Sequence, residues 1–217
     1  MSERTELTVI LADGDPPRTT PPLEILHSAD RIVCCDGAAA LLAEYGLEPA
    51  VVIGDLDSLP GQWKAKYADR LVHVREQETN DLSKAFRYCI AQGWRNIVIL
   101  GATGKREDHT LGNLSLLADY TQQSDSIRAV TNYGIFFIAE KSGEFTSVPG
   151  QQISIIALQT GTEVTSAGLK YPMDKLVLNH WWQATLNEAL DNTFKLNFTP
   201  GSQLLIFQEH PAETIRS

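Results

Sequence analysis

At 217 residues and 24.0 kDa, the chain is long enough for one large or two small domains with cores of their own. Its formal net charge of -9 weighs against a nucleic-acid backbone as the main partner, because no basic surplus is present to displace counterions. A hydrophobic content of 43% is ordinary for a globular protein, and no apolar run approaches the length of a membrane span. Residues 1–6 are polar and show no signal-peptide core, so the expected compartment is the cytoplasm. Cys34 and Cys35, adjacent in an apolar run, read as buried, reduced thiols.

In chain order, residues 7–11 predict a first strand, followed by the turn-rich Asp13-Gly14-Asp15-Pro16-Pro17. Residues 31–35 predict a second strand and 38–45 a short helix closed by Gly46. Strands three to five are expected at 51–54, 71–74 and 96–100. Between the last two, Leu82, Ala85, Phe86, Cys89 and Ile90 recur at helical spacing until Gly93 stops the pattern. Leu111, Leu114, Leu117 and Ala118 predict another amphipathic helix, and 127–131 a sixth strand. Short, continuous apolar strands alternating with helices indicate an α/β domain with a mainly parallel, Rossmann-like three-layer sheet.

The pattern changes from Ile135 onward. Strand signals at 136–138, 153–157, 175–178, 193–198 and 204–207 are separated by Gly, Asn and Pro turns without a helix. That is the pattern of a small antiparallel sandwich. A boundary at Lys141-Ser142-Gly143 gives an α/β domain over 1–140 and an all-β domain over 141–217.

Three acidic clusters stand at strand ends or helix starts: Gly54-Asp55-Leu56-Asp57-Ser58, Thr79-Asn80-Asp81, and Gly104-Lys105-Arg106-Glu107-Asp108-His109. In an open parallel sheet the strand ends share one rim, where ligands bind. Carboxylates gathered there repel one another unless a cation lies between them. With Lys84, Lys105 and Arg106 nearby, a Mg²⁺-dependent phosphoryl-transfer site is the economical reading. Asp55 and Asp57, two residues apart, project to one face of an extended backbone and suit one metal ion. The plainer alternative is a turn whose carboxylates cap the next helix. Asp81 opens a helix with Thr79 or Asn80 as N-cap, where the helix dipole alone would favour an acid.

The loop over 101–106 is not a Walker A motif, since Arg follows Lys where Ser or Thr should hold the metal. A glycine loop entering a helix still presents free amides to an anion, and Arg106 adds a planar donor fork. His109 taken alone reads as a capping or packed histidine. Trp181-Trp182 are consecutive, so in a strand one ring would enter the core and the other would remain free to stack on a cationic ring.

These motifs together resemble the thiamine pyrophosphokinase family. They are Cys35-Asp36-Gly37-Ala38, Ile53-Gly54-Asp55-Leu56-Asp57-Ser58, Gln77-Glu78-Thr79-Asn80-Asp81 through Lys84-Ala85, and Gly101-Ala102-Thr103-Gly104 through His109. Gly168-Leu169-Lys170-Tyr171 and Asn187-Glu188 continue the match in the second half. The resemblance implies an α/β nucleotide-binding domain, a C-terminal β-sandwich, a homodimer, and transfer of the pyrophosphoryl group of ATP to thiamine with Mg²⁺. Carried over by position, Asp55, Asp57, Asp81 and Asp108 would be the catalytic acids, the first three of them on the metal. Asp36, Gly37, Lys84, Gly104, Arg106 and His109 would meet ATP, and Gln77, Asn80, Trp181 and Asn187 the thiamine. The chain departs from the family at Leu186, where a small hydroxyl residue is common before the Asn. Two alternatives stand beside this reading. One is a haloacid-dehalogenase-like phosphatase built on Asp55-Leu56-Asp57, although that motif normally ends a domain's first strand. The other is a non-catalytic nucleotide-binding regulator.

Overall fold

The computed structural model describes residues 5–211, so most of the polar 1–6 segment lies outside the described residues. Six strands are β1 (Thr8–Leu11), β2 (Arg31–Cys35), β3 (Val51–Gly54), β4 (Leu71–His73), β5 (Asn96–Leu100) and β6 (Ser126–Val130). They pair in parallel in the order β6-β5-β1-β2-β3-β4. Every residue of β1 and β3 is buried, as is all but the first residue of β2 and β5. Strands buried along their whole length need cover on both faces, which is why they read as unbroken Val/Ile/Leu runs. Because β1 lies between β2 and β5, the strand order reverses at β1. Near such a reversal, the carboxyl ends of the strands leave room for a ligand.

The helices are α1 (Thr20–Ser28), α2 (Ala38–Glu44), α3 (Gly61–Lys66), α4 (Asp81–Ala91), α5 (Glu107–Ser115) and α6 (Leu117–Tyr120). Helix α4 follows its sequence signal closely. The Asn80 side chain accepts from the Ser83 amide at 2.9 Å, and Leu82, Ala85, Phe86 and Cys89 are buried. Helices α1 and α3 were not among the expected elements. In α1, Pro21-Pro22 looks like a turn in sequence but occupies the first helical turn, where an N–H has no intrahelical acceptor to lose. The single amphipathic helix expected around 111–118 is instead two pieces. Regular helix is interrupted at Leu116, whose own backbone stays in the helical region, and the Ser115 hydroxyl donates to the Gly112 carbonyl at 2.7 Å. Leu117 is buried in α6, whereas Leu111 is 55% exposed and no residue of α5 is buried.

The chain divides into two compact units between Asn132 and Tyr133, ahead of the 140/141 boundary read from the sequence. Gly143 opens a strand, and Gly134–Ala139 belongs to the second unit. The second unit holds β7 (Gly134–Ala139), β8 (Gly143–Thr146), β9 (Gln152–Ala157), β10 (Thr162–Ala167), β11 (Leu176–Leu178), β12 (Ala184–Glu188), β13 (Thr193–Phe198) and β14 (Leu204–Glu209). One antiparallel sheet runs β12-β9-β14-β7 and the other β11-β10-β13-β8. Burial alternates residue by residue along β9 and β13, and Ile153, Ile155, Val164, Phe194, Leu196, Leu204 and Ile206 share one core. Strands β8, β10 and β12 had no sequence signal. They carry few apolar residues, and their backbones pair with the strongly patterned β13 and β9.

Candidate functional site

A cleft of about 430 Å³ opens at the carboxyl ends of β1, β2, β3 and β5, beside the start of α4. It brings together Asp36, Gly37, Asp55, Gln77, Asn80, Asp81, Lys84, Gly104, Arg106 and His109. Residues separated by seventy positions in sequence meet because each follows a strand of the same parallel sheet. Asp57 and Asp108 do not line it.

Asp57 illustrates the limit of the spacing argument. Two residues apart means one face only while the backbone stays extended. Leu56 has a φ of 66°, which turns the chain, and Asp55 Oδ1 accepts from the Asp57 amide at 3.0 Å. The two carboxylates therefore do not share a strand face. Asp55 keeps its position in the cleft, with Oδ2 accepting from Gln77 Nε2 at 3.2 Å. The Asp57 amide and then Gln77 hold the Asp55 carboxyl below the usual range.

Asp36 and Asp81 approach each other across Gly54. A Cβ on that glycine would lie 3.0 Å from the Asp36 Cβ and 3.2 Å from Asp81 Oδ1. Asp36 is 4% exposed; its Oδ2 accepts from the Ser58 amide at 3.0 Å, and its buried Oδ1 has no partner. Burial pushes the Asp36 carboxyl up, and the charges of Asp81 and Asp55 push it further. On the other side of Asp81, the buried Lys84 donates to Oδ1 at 3.0 Å. Among the described residues, no three Asp, Glu, His or Cys side chains converge into a ready-made metal cage, the expected Asp55, Asp57 and Asp81 included.

The loop after β5 supplies positive charge. Lys105 pairs with Asp13 at 2.9 Å, and Arg106 holds Asp108 with Nε at 3.0 Å and a terminal nitrogen at 2.5 Å. The Arg106 guanidinium pulls the Asp108 carboxyl down to about 2, but both side chains are mostly exposed, so the pair adds little to stability. Sequence reasoning missed Asp13, Ser58 and Asn113 as lining residues. Asp13 follows β1 just as Asp55 follows β3, so the same strand-end argument applied to the first strand finds it. Asn113 lies four residues after His109 on α5, the spacing of one helix face.

Glu76 organises the loop that presents Gln77. Its carboxylate accepts from the amides of Glu78 (3.0 Å) and Thr79 (3.2 Å), from the Thr79 hydroxyl, and from Arg87 at 2.5 Å. The Thr79 hydroxyl and then Arg87 hold its pKa down to about 2. A carboxyl depressed in the folded state stabilises the fold above its ordinary value, and that contribution is lost as pH falls through the folded value. Stability should therefore drop between about 4.5 and about 2, and Glu76→Gln should flatten that part of the profile. Thermal midpoints across this range test it; parallel profiles for the two proteins would contradict the assignment.

In the second unit the tryptophans lie in the turn between β11 and β12, not in a strand, and neither enters the core. Trp181 is 57% and Trp182 72% exposed. The turn is held by Gln183 Oε1, which accepts from the amides of Asn179 and His180, and the Trp182 ring stacks parallel to His180. Leu186, in a bulge of β12 with a φ of 57°, is 76% exposed. Asn187 is buried. Its Oδ1 accepts from the Tyr171 and Glu188 amides, and its Nδ2 donates to the Tyr171 carbonyl, so the side chain holds Tyr171 in place.

Comparison with known proteins covers both units. A family model described as thiamin pyrophosphokinase, catalytic domain, matches residues 23–130, and one described as its substrate-binding domain matches residues 134–207. Thiamin pyrophosphokinase 1 of Caenorhabditis elegans is 30% identical over 171 residues, spanning 73% of this chain and 69% of that protein. Thiamine pyrophosphokinase of Bacillus subtilis (strain 168) is 27% identical over 209 residues, 92% of this chain and 97% of that one. Among solved structures, thiamin pyrophosphokinase from Geobacillus thermodenitrificans superposes with a TM-score of 0.76 at 25% identity, covering 96% of this chain and 99% of that one.

Proposed function

The chain belongs to the thiamin pyrophosphokinase family, and from this we propose that its cleft transfers the pyrophosphoryl group of ATP to the hydroxyl of thiamine, giving thiamine diphosphate and AMP. One observation carries the reading. The segment matched to the catalytic domain contains Asp36, Asp55, Asp81, Lys84, Arg106 and His109, and all of them line one cleft at the strand ends. In the reaction the thiamine oxygen bonds to the β-phosphorus as the bond from that phosphorus to the AMP oxygen breaks. The hydroxyl proton passes to a cleft carboxylate. The protein's task is alignment and charge neutralisation rather than covalent chemistry. Lys105 and Arg106, which pair with Asp13 and Asp108, carry charge suited to phosphate oxygens.

Mg²⁺ is the cofactor that this donor set suits. The unpartnered Asp36 Oδ1, pressed by the charges of Asp81 and Asp55, calls for a cation. Mg²⁺ usually takes one or two carboxylates together with phosphate oxygens and water, so a full protein cage is not required. Asp36 and Asp81 would hold it with Asp55 beside them, and when bound it would offset the triphosphate charge. Incubation with ATP, thiamine and Mg²⁺ tests the whole reading. AMP and thiamine diphosphate are the expected products; ADP or free phosphate alone would reject it.

The second unit supports a homodimer. Tyr171, Trp181, Trp182, Leu186 and Leu190 are all large, apolar and more than half exposed; a second copy would cover such a surface. A tryptophan face also suits the cationic thiazolium of thiamine. Sedimentation should give a dimer, and alanine at both Trp181 and Trp182 should raise the thiamine KM clearly, by about 10-fold. A fully active monomer would reject the first claim, and an unchanged KM the second. The net charge of -9 favours small-molecule substrates over nucleic acid. A cytoplasmic location is in keeping with the buried free thiols of Cys34, Cys35 and Cys89, and cell fractionation checks it.

A further inference from the structure

Helix α5 carries no buried residue, yet it and its N-cap Arg106 present Arg106, His109 and Asn113 to the cleft. Apolar anchorage comes at its far end, from half-buried Leu114 and from Leu117 and Tyr120 of α6, so polar contacts fix the end that faces the cleft. Asn113 supplies two of them. Its Nδ2 donates to the Ala102 carbonyl at 2.8 Å, on the loop after β5, and its Oδ1 accepts from Asn80 Nδ2 at 3.0 Å. Asn80 in turn accepts from the Ser83 amide at 2.9 Å, capping α4. A row of amides thus runs from the first turn of α4, through Asn80 and Asn113, to the loop after β5.

Each amide in that row can face only one way. The Ala102 carbonyl only accepts, so Nδ2 of Asn113 must meet it and Oδ1 must turn to Asn80. The Ser83 amide only donates, so Asn80 must offer Nδ2 to Asn113. Asp81 and Lys84 stand at one end of the row, and Gly104, Lys105 and Arg106 at the other. We infer that Asn113 is a positioning residue that sets the separation between the acidic and the phosphate-facing halves of the cleft, an inference that rests on the reaction proposed above. In-line transfer is sensitive to that separation, since a misplacement of about 1 Å can cost roughly 100-fold in rate.

The test is steady-state AMP release by wild type, Asn113→Ala, Asn113→Asp, Asn80→Ala and the double alanine variant, with thermal midpoints for each. Asn113→Asp keeps the shape and the acceptor for Asn80 but sets a carboxylate oxygen against the Ala102 carbonyl, so it serves if the alanine variant does not fold. We expect kcat to fall about 10- to 100-fold in both Asn113 variants, with thiamine KM within about 3-fold of wild type. The double alanine variant should be no worse than the more damaging single one, because both break the same row. A merely structural role would lower the midpoint without this split between kcat and KM. A kcat within about 2-fold of wild type in a folded variant, or additive losses, would overturn the inference. A wild type that releases no AMP would instead overturn the proposed reaction, and the inference with it.

Discussion

Asp36→Asn should lower AMP release at least ~100-fold while leaving the thermal midpoint of the ligand-free protein unchanged or higher. Asp36 is 4% exposed, and only one of its oxygens is satisfied, by the Ser58 amide. Its carboxyl is raised first by burial and then by Asp81 and Asp55. For a carboxyl raised in the folded state, the contribution to stability is present below its ordinary value and lost as pH rises through the folded one. The ionised form of this buried group is thus a liability to the fold unless a cation joins it. Asparagine keeps an oxygen for the Ser58 amide, removes the charge, and tolerates the positive φ of 33° at this position. The same change removes the negative charge that the cleft would use to hold Mg²⁺ against the triphosphate. AMP assays paired with calorimetry separate the two effects. A variant that is less stable but fully active would make Asp36 structural and move the proposed cation site elsewhere.

Gly101→Ala should have the largest effect on the fold itself. The parallel pairing of β1 and β5 continues past the strand ends as a row of backbone bonds. Ala12 donates to the Leu100 carbonyl (2.8 Å), Gly14 to that of Gly101 (2.8 Å), and Asp15 to that of Thr103 (2.7 Å). This seam joins two of the loops that line the cleft. Gly101 has a φ of 68°, and a Cβ there would lie 2.3 Å from the Ala12 carbonyl oxygen. Left-handed backbone costs a non-glycine residue roughly 1–2 kcal/mol, and the clash falls on main chain that no rotamer change can move. A loss of about 3 kcal/mol or more is expected, together with loss of turnover as the seam opens. Urea unfolding measures it, and a destabilisation below ~1 kcal/mol would mean the seam yields without consequence.

The seam, the Asp36 environment and the α5 amide row share one property: none is encoded by neighbours in sequence. Local structure was legible in the residues themselves. The unbroken apolar runs at 51–54 and 96–100, the 82/85/86/89 periodicity of α4, and the residue-by-residue alternation of 193–198 each depend on a strand or helix burying its own face. The parallel topology followed from those elements, and with it the rim on which Asp55, Asp81 and Arg106 meet. Which polar groups face which depends on contacts that form only in the assembled fold. The same-face argument for Asp55 and Asp57 needs extended backbone, and Leu56 leaves the extended region, which sequence spacing does not report. The expectation that one of Trp181 and Trp182 enters the core holds only in a strand, and Gln183 instead ties their segment into a turn that leaves both rings exposed. Asp13 meets Lys105 across 92 residues and Asn80 meets Asn113 across 33. Such pairs form only after the sheet has assembled, because the entropy of closing long loops is offset by burial of the strands that carry them.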